Sequence, residues 1–241
     1  MYTSHQPVTI FIVGENYGQR NTRGHLDRET IANCAVALVD SEGIDAITIR
    51  RLAKELAVTA MALYRHFQNK DEILNAIVEY LLAQVELPPP SQVSWDEELA
   101  IILERFVEVL RVHPNAADLV VSRILLSIPG LILSDRVLGL IRTGGFAREH
   151  VAQIATYALS SLVALVSTKP GRITTSDLAE QDAFLRSKKA ALASLSPQTY
   201  PNIIAMADFL TSCTDDNLYY DLGVKLVIAG AKGVSKGNFT S

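Results

Sequence analysis

From about residue 26 onward, apolar residues in this 241-residue chain recur three and four positions apart, the period of helices that bury one face. Ile49, Leu52, Ala53 and Leu56 form one such stripe, while Arg50, Arg51 and Lys54 occupy the opposite face. Thr48 is placed to cap that helix, and Ile47 before it to staple onto Leu52. Thr59 repeats the device, with Val58 stapling to Leu63. Only Leu56, Ala57 and Val58 remain between the two helices, a turn short enough to hold them at a steep mutual angle. The second helix is expected over residues 60–67. Asn69 then caps a third, and Glu72 completes a capping box ahead of Ile73, Leu74 and Ile77. Upstream, Asp27 caps a helix that runs to Glu42 and ends at Gly43, with Leu26 and Ile31 as its staple. Four capped helices in about sixty residues predict a compact all-α module around a helix-turn-helix.

Pro88, Pro89 and Pro90 stop the third of these runs and stiffen a short connector, which marks a domain boundary. The expected organisation is an N-terminal extension over 1–24, a helix-turn-helix domain over 25–86 and a larger helical domain over 92–235. In the last, helices are expected over 96–112, 116–128, 131–143, 148–167, 177–195, 201–211 and 216–234. Pro114, Pro129, Gly144, Gly145, Pro170, Gly171 and Pro197 punctuate them. This domain shows no convincing strand and no internal repeat. The extension lacks a helical period. Its VTIFIV segment suits a strand, and Arg20 and Arg23 stand where an arm could reach a minor groove, although a plain flexible tail accounts for the same composition.

Charge sharpens this picture. A net charge of −4 argues against a general nucleic-acid coat protein but not against a specific reader. Between Arg50 and Lys70, the basic Arg50, Arg51, Lys54, Arg65 and Lys70 face Glu55 alone. That local patch, rather than the total, is what would meet DNA. Thr48, Arg50, Arg51, Thr59, Tyr64, His66 and Lys70 are the candidates for phosphate contact, Lys70 aided by the N-terminal end of its own helix. Ala60, Met61 and Arg65 are the candidates for base edges, Met61 against thymine methyls and Arg65 toward guanine.

The run LDRETIANCAVALVDSEGIDAITIRRLAKELAVTAMALYRHFQNKDEILNAIV, with its LYRHF and NKDEIL segments, resembles the DNA-binding domain of the TetR (tetracycline repressor) family. SWDEELAIILERFVEVLRVHP, GLIRTGGF and LYYDLGVKLVIAGAKG are similar to the C-terminal domain of the tetracycline-repressor type, so the resemblance spans roughly 26–235. Two departures stand out. Ala57 holds a turn position that is usually Gly in the family, and a left-handed backbone there costs a residue with a Cβ about 1–2 kcal/mol. Ala60, Met61 and Ala62 are apolar where polar base-readers are common, so base reading leans on methyl contacts.

The resemblance implies a small-molecule pocket among the middle helices, whose run VVSRILLSIPGLILSDRVLGLI is apolar on nearly every side. Arg105, His113, Arg123, Thr156, Tyr157 and Ser160 are the polar candidates within it. Each has a plainer reading: solvent-facing charges for the arginines, interface or satisfied core groups for Tyr157 and Ser160, and a cap ahead of Pro114 for His113. The tetracycline repressor holds its drug as a magnesium chelate through a His and a Glu. Val120 and Thr168 fall at those positions here, and neither can ligate magnesium in that way. The expected effector is therefore an apolar or weakly polar organic molecule, with no metal and no cofactor.

Gly223, Leu226, Val227 and Gly230 share one face of the last helix. Each glycine inside a helix costs about 1 kcal/mol against alanine, which close approach of another helix would offset. The resemblance implies that this helix and the one over 148–167 form a four-helix bundle across a two-fold axis. A homodimer of that kind spaces its recognition helices about 34–36 Å apart and calls for a palindromic operator in double-stranded DNA.

The resulting expectation is a bacterial, cytoplasmic, dimeric repressor released from DNA by a small organic effector. The alternative is a dimeric DNA-binding regulator without an effector, its C-terminal domain serving only dimerisation or protein contact. An enzyme is not expected: His5, His25, His66, His113 and His150 are scattered, and no GxSxG, HExxH or phosphate loop is present. Cys34 and Cys213 are far apart and read as free thiols of a reducing compartment. No apolar run is expected to reach the ~18 residues of a membrane span, so no membrane partner is expected.

Overall fold

The structure, a computed structural model, describes residues 26–90, 92–172 and 178–236. The extension over 1–24, with VTIFIV, Arg20 and Arg23, lies outside the described residues, as does His25. A first unit comprises α1 (Arg28–Glu42), α2 (Ile49–Glu55), α3 (Ala60–Tyr64) and α4 (Lys70–Ala83). A second comprises α5 (Trp95–Arg111), α6 (Ala117–Arg123), α7 (Ile128–Thr143), α8 (Arg148–Ser167), α9 (Leu178–Ala193), α10 (Pro201–Thr211) and α11 (Asp216–Lys236). Short 3-10 turns cover Ile44–Ala46 and Ile124–Leu126, and the described residues contain no strand.

The caps form where the sequence places them. Asp27 Oδ1 accepts from Thr30 N at 2.8 Å, Thr48 Oγ1 from Arg51 N at 3.1 Å, Thr59 Oγ1 from Ala62 N at 3.3 Å and Asn69 Oδ1 from Glu72 N at 2.9 Å. Each satisfies an amide that the first helical turn leaves without a partner. The expected box at Asn69 reaches one residue further back than drawn, because Glu72 Oε2 accepts from Gln68 N at 2.9 Å.

Two expectations are corrected. The second helix of the helix-turn-helix stops at Tyr64 rather than at 67: His66 N and Phe67 N both donate to the Leu63 carbonyl at 2.9 Å, which tightens the chain and buries Phe67 completely. The expected helix over 116–128 is not continuous. It ends at Arg123, tightens over Ile124–Leu126 and turns 87° into α7, which starts at Ile128 rather than at 131. Pro129 was read as a stop, but it sits in the first turn of α7, where a missing N–H is harmless. Ser127 Oγ caps the new helix by accepting from Gly130 N at 3.2 Å. A Cβ on Gly130 would stand 1.9 Å from the Ile124 carbonyl oxygen, so only glycine admits this corner. The remaining boundaries agree with expectation to within two residues, those of α8 and α10 coinciding with it.

One hydrophobic core runs through both units, from Ile31 on α1 to Val224 on α11. α4 packs on α1 and on α5, α6 and α7, and so seats the first unit on the second. α5 lies against α7, α8 and α11, while α9 and α10 pack on each other. By length and mean hydropathy, 1.4, helix α8 is apolar enough to cross a membrane, contrary to the expectation of no such segment. In this fold its inner face buries Val151, Ala158, Leu162, Val163 and Val166 among α5, α6, α7 and α11.

Candidate nucleic-acid interface and effector cavity

α2 and α3 hold their mutual angle through the turn at Ala57, the sole non-glycine of positive φ among the described residues, at +52°. The strain anticipated from the sequence is therefore present. Leu52, Ala53 and Leu63 turn inward and leave Met61, 69% exposed, with Tyr64 and Arg65 on the outer face of α3. Arg50, Lys54, Thr48 and Thr59 are exposed beside them. Each threonine hydroxyl accepts from a helix amide, which leaves its proton free to donate to a phosphate oxygen.

Not every candidate is equally free. Arg51 donates from Nε to Glu42 at 3.2 Å and from NH1 to Glu55 at 2.7 Å. Those carboxylates push its guanidinium pKa further up, and its hydrogen bond holds the Glu42 carboxyl below the usual range. Its charge is thus already matched, which leaves it less free to meet a phosphate than Arg50 or Lys54. Lys54, on the same helix, is exposed and was passed over as a site residue. Ala60 is half-buried against the core, which leaves only part of its methyl open to a groove. Lys70 Nζ donates to the Ile44 carbonyl at 3.4 Å, a long bond from an exposed side chain. Arg28 donates to the carbonyl of His66 and lies 4.2 Å over the Phe67 ring, which fixes the chain leaving α3.

In the second unit, a cavity of about 240 Å³ opens between α5, α7, α8 and the 3-10 turn. Ile102, Leu103 and Phe106 line it from α5, Ile124 and Leu125 from the turn, Leu133, Ser134, Val137 and Leu138 from α7, and Ala152, Ala155, Thr156, Ala158, Leu159 and Leu162 from α8. Of the six polar candidates, only Thr156 reaches it. Arg105 donates to the Glu86 carbonyl at 2.6 Å, and His113 Nδ1 meets Asp40 Oδ2 at 2.7 Å. Arg123 turns toward α4. Tyr157, 70% exposed, and Ser160 lie on the outer face of α8. Arg105, His113 and Arg123 are held by partners elsewhere, Tyr157 and Ser160 face outward, and the aliphatic faces are left to the void. The α8 register of Ala152, Ala155, Thr156 and Leu159, which share one face, was the signal that could have found it. Val120 is fully buried and Thr168 Oγ1 donates to the Ala164 carbonyl at 2.6 Å, and neither lines the cavity.

Besides Arg105 and His113, further polar contacts tie this unit to the first. Arg123, one residue before the cavity wall, donates to Asn75 Oδ1 at 2.6 Å and Asp71 Oδ1 at 3.0 Å, both on α4. Asn115 donates to the Asp40 carbonyl at 2.9 Å, and Arg172 joins Asn115 to the Ser167 carbonyl at the end of α8.

On α11, Gly223 does not face outward as drawn. A Cβ there would lie 2.3 Å from a methyl of Leu165, so its absence lets α8 approach within the same chain. Val227 also packs on the core. Leu226, 63% exposed, and Gly230, with open space around it, do face solvent, together with Leu218 and Leu222.

Comparison with known proteins accords with this architecture. Residues 31–77 match the family described as bacterial regulatory proteins, tetR family, and residues 87–234 match the tetracyclin repressor-like C-terminal domain. An HTH-type transcriptional regulator of Saccharopolyspora erythraea is 28% identical over 216 residues, covering 88% of this chain and 87% of that protein. The class C tetracycline repressor of Escherichia coli is 27% identical over 207 residues, covering 85% of this chain and 90% of that one. The structure of the Streptomyces coelicolor TetR family protein ActR in complex with actinorhodin superposes with a TM-score of 0.71 at 27% identity, covering 89% of this chain and all of that one. With its helix-turn-helix and its C-terminal domain both matched, the chain belongs to the TetR family and is a DNA-binding transcriptional regulator.

Proposed function

We propose that this chain is a cytoplasmic, homodimeric repressor that leaves a palindromic operator when a small organic effector enters the cavity between α5, α7 and α8. The observation that carries this reading is the position of Arg123. It is bonded to Asp71 and Asn75 on α4, and the next two residues, Ile124 and Leu125, are cavity wall. A ligand that displaces the wall moves the guanidinium, and with it the helix that follows α3 in the chain. Because α4 begins six residues after Tyr64, its tilt sets the spacing of the two reading helices in a dimer. The effector must bind the two spacings with unequal affinity, and differences of about 1–3 kcal/mol suffice. That ActR, a relative of similar fold, was solved with actinorhodin bound supports a ligand site in this fold.

The exposed faces of α8 and α11, with Tyr157, Leu222 and Leu226, support dimerisation through these helices. The test is a small-molecule thermal-shift screen with and without a chelator, followed by operator release for each hit. Metal-independent hits that also release DNA are expected. Stabilisation that vanishes on chelation, or hits that leave operator binding untouched, would contradict the reading.

A further inference from the structure

The cavity wall limits what can bind there more narrowly than its apolar character suggests. Every lining side chain is apolar except Ser134 and Thr156, and no charged group is among them. On the same helices, Glu98 of α5 and Arg136 of α7 are already paired with each other. A charged group seated against this lining would therefore leave water without a countercharge, a heavy penalty, whereas one at the open mouth, beside Asp135, Arg142 and Arg148, would not. Volume sets the second limit. An apolar cavity of about 150 Å³ accommodates benzene, so about 240 Å³ holds roughly ten non-hydrogen atoms of a ligand, any remainder lying at the open mouth. Hydrogen bonding sets the third. Thr156 Oγ1 donates to the Ala152 carbonyl at 2.9 Å, so toward the cavity it can only accept.

We infer that the part of the ligand seated in the cavity is an uncharged unit of one or two rings, or an aliphatic equivalent, carrying a hydroxyl that donates to Thr156. The inference rests on the cavity being the effector site. Ser134, whose hydroxyl has no hydrogen bond assigned among the described residues, accepts or donates to a second polar group on the same ligand.

Titration calorimetry of the full chain with 2-naphthol, 2-methylnaphthalene, 2-naphthoate and 2-naphthylmethylammonium separates the terms. 2-Naphthol binds tightest. 2-Methylnaphthalene binds about threefold to tenfold more weakly, having lost one hydrogen bond. The two ions bind on the order of 100-fold more weakly. Thr156→Val brings 2-naphthol down to the level of 2-methylnaphthalene. Ala155→Phe fills the cavity and abolishes binding of all four, and Ala152→Phe, at an exposed lining position, does the same without straining the core. Naphthoate or the ammonium binding as tightly as naphthol overturns the ligand class while leaving the cavity as a site. Failure of all four probes to bind also overturns it. Binding undiminished in both phenylalanine variants places the ligand elsewhere and overturns the effector site itself.

Discussion

The guanidinium of Arg123 and the carboxylate of Asp71 meet at 3.0 Å across 52 residues of sequence, joining the end of α6 to the first turn of α4. The same guanidinium reaches Asn75 one turn further along α4, and its Nε is buried without a partner. Asp71 is mostly exposed, so the ion pair alone contributes little, about 0–1 kcal/mol. Its value lies in geometry. A planar fork with two acceptors on one helix fixes the angle of that helix.

Arg123→Ala should therefore uncouple the two units more than it unfolds them. With any effector that releases the parent protein, the ratio of operator dissociation constants with and without it should fall toward one. Stability should drop by only about 1 kcal/mol. Arg123→Lys should not restore the ratio, because an ammonium lacks the fork. Fluorescence anisotropy on labelled operator measures both ratios, and a full response in Arg123→Ala would place the coupling at another contact.

Ala57→Gly should stabilise the chain. The left-handed turn at φ +52° costs alanine roughly 1–2 kcal/mol, and the greater freedom of glycine in the unfolded chain returns about 0.4–1 kcal/mol of that. A net gain of up to about 1 kcal/mol is expected as a higher urea midpoint at unchanged slope. A lower midpoint would show that the turn is not strained.

On the reading face, Lys70→Ala should weaken every DNA sequence alike and lower the salt slope by about one unit. Met61→Lys should instead change the preferred base at one or two symmetric positions, since it replaces a methyl contact with a donor. Binding-site selection on both variants distinguishes them. An unchanged selected site for Met61→Lys would mean that α3 docks in another orientation.

The two glycines of α11 should part company. Gly230→Leu adds bulk to open surface and should raise the dimer dissociation constant without altering the fold of the protomer. Gly223→Ala forces Leu165 to shift within the protomer, and should lower stability by about 1 kcal/mol at all concentrations. Sedimentation equilibrium paired with thermal unfolding reads both. Gly230→Leu remaining dimeric would move the seam off this face.

What the sequence made legible was local. Asp27, Thr48, Thr59 and Asn69 announce helix starts because a short polar side chain satisfies an amide within three residues, and the structure uses all four. The stripe of α2 and the burial of Leu63 follow from the same period. What it concealed depends on partners distant in sequence. Arg123 looked solvent-facing until α4 lay across it, whereas the pairing of Arg51 with Glu55 four residues on was within reach of the helical period. Gly223 signalled a close approach correctly, but periodicity does not say whether the approaching helix belongs to the same chain. The family resemblance implied a cavity beside the apolar run after residue 119, yet of the polar residues selected to line it Arg105, His113 and Arg123 met nearer partners and Tyr157 and Ser160 face outward. The corner at Ser127 was hidden because Pro129 opens a helix as readily as it closes one.

The central claim, that two copies of α3 read DNA as a symmetric pair, is tested most directly by selecting bound sequences from a random duplex pool with the full chain. The account predicts an inverted repeat whose half-sites are centred about 10 base pairs apart or a multiple of that, bound by a dimer. A single unrepeated site bound by one copy, or retention without sequence preference, would contradict it.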